Sequence, residues 1–159
     1  MLTRKPYKTR TDFEKIQSQW NKISGLYTRK EWSAAIVRVA TAAEIAANFA
    51  IRKEFESKSE FNSEFINSLL IWANGIAGKI RRLLVPLSEG EKHHKTIKKL
   101  EKLSEQINKK RNAVTHQGEF CNEEEAKAAV QQSREFIETL VRIYEPAFAL
   151  KDKKSSDNK

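Results

Sequence analysis

The stretch EGEKHHKTIKKLEKLSEQINKKRNAVTHQG, residues 89–118, decides the fold. Ile97, Leu100, Leu103, Ile107 and Val114 fall at spacings that put them on one face of a helix, and lysines fill the opposite face. Ser88 with Glu91 three residues on reads as a reciprocal cap at the start. Gly118, able to take the left-handed backbone that ends helices, reads as the stop. The pattern predicts a helix over roughly residues 89–116.

The same signals organise the rest of the chain. Thr11 with Glu14, Thr28 with Glu31 and Asn122 with Glu125 repeat the capping pattern, and a further start lies near Asn62 or Ser63. Gly25 and Pro86 read as stops. Five helices follow, over about 11–24, 29–55, 63–85, 89–116 and 123–149. The third carries Phe65, Ile66, Leu69, Leu70, Ile76, Ile80 and Leu84 as one continuous apolar stripe. Trp20, Trp32 and Trp72 sit on apolar faces and are expected in the core. With five Gly and three Pro in 159 residues, the chain has little backbone punctuation, which favours long helices over strands. The expected fold is therefore all-α: an up-and-down bundle of four long helices plus a short N-terminal one, spanning 11–150. A basic arm, 1–10, precedes it and a basic tail of disordered composition, 151–159, follows.

The formal net charge of +9 is unevenly placed. Residues 1–10 contain Arg4, Lys5, Lys8 and Arg10 and no acid, and residues 91–111 hold eight Lys or Arg against three Glu. A basic stripe thus runs along the helix that ends near Gly118, and Lys99, Lys102, Lys109 and Lys110 are the candidates for contacting a nucleic-acid backbone. The single cysteine, Cys121, forms no internal disulfide, so nothing requires an oxidising compartment and the cytoplasm is the expected location. The apolar run from Trp32 to Ile51 is interrupted by Arg38, Glu44 and Asn48, and the N-terminus lacks the apolar stretch of a signal peptide. Neither a membrane span nor an export signal is expected.

Where the basic helix ends, Arg111, Asn112 and His116 gather in RNAVTH. Asn112 and His116 are one turn apart on the same face, and the long Arg111 side chain reaches the same patch. Cations and His at a helix C-terminus also serve as ordinary capping groups for the last carbonyls. Two other arrangements are weaker. His93 and His94 are adjacent, point about 100° apart and read as a solvated turn. Cys121 with His116 lacks an orienting partner for a nucleophile pair.

RNAVTH resembles the R-x4-H motif of the HEPN family of small helical-bundle domains, with a polar residue directly after the Arg. The order of elements over roughly 30–148 is similar too: an Ala-rich second helix with an embedded acid, TAAEIAANF, then a lysine-rich helix ending in the motif, then a helix with an acidic start. The resemblance implies a ribonuclease that uses neither metal nor cofactor, acting as a homodimer in which two copies of Arg111 and His116, with Asn112 beside them, line one cleft on RNA. It also implies a toxin or defence effector, with an antitoxin or regulatory protein as a possible partner. Toxin members that read R-x4-H-x-Y offer the Tyr to a nucleotidyltransferase antitoxin, but Gln117 and Gly118 follow His116 here, so that mode of neutralisation has no acceptor. The family also contains non-catalytic modules that bind a protein partner or a nucleotide, which stand as the alternative. Thr41, Glu44, Asn48 and Arg52 form one polar stripe on the second helix, which reads either as a solvated face with an ion pair or as a face from which Glu44 and Asn48 meet the motif and orient it.

Overall fold

The computed structural model describes residues 5–153, so the outer ends of the basic arm and tail lie outside the described residues. Within them the chain is all-helical, without a strand. A 3₁₀ turn, Tyr7–Thr9, leads into α1 (Asp12–Trp20), α2 (Ile23–Thr28), α3 (Trp32–Lys58), α4 (Ser63–Trp72), α5 (Ile76–Lys79), a π-helical turn (Ile80–Leu84), α6 (Val85–Leu87), α7 (His94–Gln117) and α8 (Glu123–Tyr144).

Three of the expected caps form. Thr11 accepts from the Glu14 N–H while the Glu14 carboxylate accepts from the Thr11 N–H, Asn122 and Glu125 do the same at α8, and Asn62 accepts from the Phe65 N–H at α4. Gly118 ends α7 at φ +66°, as expected. The other signals fail for identifiable reasons. Thr28 is the last residue of α2, and its hydroxyl donates back to the Ser24 carbonyl. Gly25 lies inside α2 rather than ending it. The Ser88 hydroxyl donates to the Val85 carbonyl and meets His94 Nδ1 at 2.9 Å, so α7 starts at His94, five residues later than the sequence suggests.

α3 is the axis of the domain. Its alanines 35, 40, 42, 43, 46, 47 and 50 are all buried, and their small size lets the backbones of neighbouring helices approach closely. α1 runs antiparallel to it, with Phe13 against Phe49 near one end and Gln19 bonded to Arg38 near the other. α8 runs parallel to it, since Glu123 lies by Tyr27 while Tyr144 meets Phe49 and Glu54. α7 runs antiparallel to both. α3 is long and apolar enough by composition to cross a membrane, but its apolar faces are covered here by α1, α7 and α8.

The expected third long helix, 63–85, is instead a helical hairpin. It breaks at Ala73–Asn74–Gly75, where Gly75 takes φ +76°. α4 descends beside α3, with Asn67 bonded to Arg52; α5, the π turn and α6 then climb back, from Lys79 beside Glu44 to Leu87 beside Lys58. The φ at Gly75 calls for glycine, and a Cβ there would also lie 2.8 Å from Asn108 Oδ1 on α7, so that side chain would have to shift. The bundle accordingly has three long helices, with a folded-back pair in the fourth place. α4 buries only Ile66 and Leu70 and leaves Phe65, Ile71 and Trp72 exposed, as is Phe61 just before it, so Trp72, expected in the core, is 83% accessible.

After α8 the chain turns back as a strap. Phe148 packs on Phe13, Leu150 is buried, the Lys151 N–H donates to Gln17 and Trp20 Nε1 donates to Asp152. Residues 151 and 152 therefore lie against α1.

Candidate functional site

The motif occupies the last two turns of α7. The Gly118 and Glu119 N–H groups both return to the Ala113 carbonyl, which fixes the turn that carries the motif. That turn is anchored in two further ways. Ser33, at the start of α3, accepts the Cys121 N–H with its hydroxyl. Lys110 spans the turn, with its ammonium 2.8 Å from Glu119 and 2.7 Å from Glu125. Glu119, then Glu125, pushes the Lys110 pKa up, while Lys110 and the Asn122 backbone hold Glu125 below the usual carboxylate range.

Arg111 and Asn112 are half-buried side by side, and the guanidinium donates to the Asn112 side-chain carbonyl at 3.3 Å. The Asn112 amide is thus turned to Arg111 and makes no hydrogen bond to the imidazole one turn on. His116 is exposed. Among the described residues neither Arg111 nor His116 has a carboxylate partner, in contrast to Lys110 and to Arg81, which binds both Glu101 and Glu105.

Of the polar stripe on α3, every member but Asn48 is engaged elsewhere. Glu44 accepts from Lys79 at 2.7 Å, and the Asn48 side-chain oxygen is buried with no hydrogen-bond partner among the described residues. Thr41 bonds the Val37 carbonyl of its own helix, and Arg52 reaches Asp12 and Asn67. No hydrogen bond links Glu44 or Asn48 to the motif. Lys79 itself, 4% exposed beneath the hairpin, was not singled out from sequence. Its signal is a lysine placed between Ile76 and Ile80 in an apolar stripe, opposite an acid in an alanine-rich helix.

Of the candidate backbone-binding lysines, Lys99 and Lys102 border a shallow groove between α7 and α8, and Lys109 is exposed. Lys110 differs, since its ammonium is committed to the two carboxylates described above. Glu119, Cys121 and Glu125 bring ligand-type atoms within 4.8 Å of one another, but the same ammonium already bridges both carboxylates, and the group works as an ionic clasp.

A second polar centre lies at the far end of the bundle, and it corrects the reading of His93 as part of a solvated turn. Glu54, 2% exposed, accepts from Tyr144 at 2.7 Å and meets His93 Nε2 at 2.5 Å, with Lys58 at 3.4 Å from its other oxygen. Burial alone would raise the Glu54 carboxyl, but the bonds from Tyr144 and His93 outweigh it and hold the pKa low. Burial, reinforced by the Glu54 carboxylate, pushes the Tyr144 phenol up. These partners come from α3, the turn before α7 and the end of α8, and no periodicity could have joined them.

Comparison of the chain with protein-family models gave no match, and comparisons with curated proteins and with solved structures gave none either.

Proposed function

We propose that the chain is a metal-independent endoribonuclease of the HEPN kind, acting as a homodimer through Arg111, Asn112 and His116. The observation that carries this reading is the uncommitted state of Arg111 and His116. An arginine steadied only by its neighbour Asn112 and an exposed imidazole, both without a carboxylate among the described residues, are free to meet a phosphate. The clasp of Lys110 and the Ser33 anchor hold the turn that presents them.

In the proposed reaction His116 of one subunit takes the proton of the RNA 2′-hydroxyl, and the 2′-oxygen attacks the adjacent phosphorus. The bond from phosphorus to the 5′-oxygen breaks, and that oxygen receives its proton from His116 of the partner subunit. Arg111 grips the non-bridging oxygens, on which charge accumulates. One imidazole cannot act as base and acid at the same moment, so two copies are required. Products end in a 2′,3′-cyclic phosphate and begin with a 5′-hydroxyl. A role as toxin or defence effector belongs to the same proposal.

The alternative is a non-catalytic helical module for a protein or nucleotide partner. It is favoured by one observation: neither the α7–α8 groove nor the larger groove bounded by α1, α2 and the residues after α8 is lined by Arg111 or His116. Incubating the purified protein with total RNA in EDTA, beside a His116→Ala control, separates the two. Cleavage that the variant lacks, with ends that a kinase labels without prior dephosphorylation, supports the enzyme. Products with 5′-phosphates, or cleavage retained by the variant, refute it.

A further inference from the structure

We infer that the groove between α1, α2 and the C-terminal strap is a binding channel for single-stranded nucleic acid, separate from the Arg111–His116 patch. The groove encloses about 1270 Å³, above the roughly 300–1,000 Å³ of a small-ligand site. Its lining carries seven Lys or Arg and only two acids, Glu14 and Glu145. Two of the cations are matched, Lys5 by Glu14 and Arg29 by Glu31. Arg10, Lys22, Arg38, Lys151 and Lys153 make no ion pair among the described residues.

The cations are strung along the groove rather than gathered at a point. Arg10 precedes α1 and Lys22 follows it, so about 14 Å of helix separates them, and Lys151 lies between at the level of Gln17. A single small anion cannot use charges so spaced, whereas successive phosphates of an extended strand can. Phe13 and Phe148, half-buried with ring centroids 5.5 Å apart, add an apolar surface beneath the cations. A cationic rim over an aromatic floor suits bases and phosphates together, and an acidic peptide would leave that floor unused. α2, which forms one wall, lies at the motif's end of the bundle. That wall abuts Trp32 through Tyr27, and the next residue, Ser33, holds the α7–α8 turn.

The inference rests on the proposed function only in taking RNA as the natural strand. Its test is therefore made on binding alone, with the full chain carrying His116→Ala. Fluorescence anisotropy is read with labelled oligothymidylate, which lacks the 2′-hydroxyl and cannot be cut, and with oligouridylate. Replacing the exposed Lys22, Lys151 and Lys153 together by Gln should weaken binding of both at least about tenfold near 0.1 M salt. It should also lower the slope of log affinity against log salt by about 2, from three phosphates at roughly 0.7 each. The matched triple Arg variant should bind as the parent does. A Lys53→Gln/Lys127→Gln control, at exposed lysines that line neither groove, should lose less than about threefold. Unchanged binding in the triple Gln variant, an equal loss in the control, or displacement of oligothymidylate by polyglutamate at equal charge would each overturn the channel. Loss of RNA cleavage in His116→Ala is read separately, so a failure of the channel and a failure of the enzyme are distinguishable.

Discussion

Glu54→Ala should be among the most damaging single changes in this domain. The carboxylate is 2% exposed and is shared by Tyr144 at 2.7 Å, His93 at 2.5 Å and Lys58 at 3.4 Å. Removing it strands a buried phenol without an acceptor, at about 1–3 kcal/mol, and takes the shared carboxylate from His93 and from Lys58, which keeps only Glu91 at 3.3 Å. Breaking a buried charged cluster by deleting one member costs roughly 3–5 kcal/mol in total. At about 2–4 °C per kcal/mol for a chain of this size, the melting midpoint should fall by about 6–20 °C, read by far-ultraviolet circular dichroism. The pH dependence supplies the control. A carboxyl whose folded pKa is lowered contributes stability that is present above its unfolded value, about 4.3, and is lost as pH falls through the folded value. Glu54→Gln should therefore melt below the parent at neutral pH, with a deficit that shrinks as pH falls below the unfolded value and through the lowered folded one. A midpoint within about 2 °C of the parent for Glu54→Ala, or a Glu54→Gln deficit that does not change with pH, would refute the reasoning.

Three other outcomes are expected. Gly75→Ala should cost about 2–3 kcal/mol, because the residue sits at φ +76° and the added Cβ would meet Asn108 Oδ1 at 2.8 Å. Adding Asn108→Ala should restore only the steric part in urea melts, and a fully restored midpoint would contradict the backbone argument. Glu44→Ala should cost about 3–5 kcal/mol by leaving the Lys79 ammonium buried alone, whereas Lys79→Met should stay within about 1 kcal/mol, since the Glu44 side chain is 34% exposed and can hydrate; equal losses would refute that asymmetry. Light scattering should report a dimer at micromolar concentration, and a monomer there would remove the composite site of the proposed function.

Local chemistry made the helix ends legible. Thr11, Asn62, Asn122 and Gly118 act within five residues of themselves, and each behaves as its sequence context indicates. The fold-back at Asn74–Gly75 was hidden because the apolar spacing continues across it, from Leu69 and Leu70 to Ile76 and Ile80. Both arms of the hairpin bury a stripe, and the sum imitates one helix. The Asn-Gly pair was the turn signal, and it was outweighed by that periodicity. The same error put Trp72 in the core. At the candidate site, the position of Arg111 and His116 at a helix end followed from the sequence, but the partner of Glu44 did not. Lys79 reaches Glu44 only because the chain reverses at Gly75. Ser88 misled for a related reason: its hydroxyl is taken up by Val85 and His94, a tertiary arrangement that competes with the capping box.

The three indoles of this chain occupy three different environments, and this gives the protein a built-in optical label. Trp20 is buried beneath the Arg134 guanidinium, Trp32 is half-buried edge-on to Tyr27, and Trp72 stands 83% exposed on a helix that buries only two side chains. A soluble quencher such as iodide therefore reaches Trp72 in the native state and is largely kept from Trp20. Quenchable emission tracks α4, the unquenched remainder tracks the central packing, and detachment of α4 can be followed as a spectral event of its own before the rest of the molecule opens.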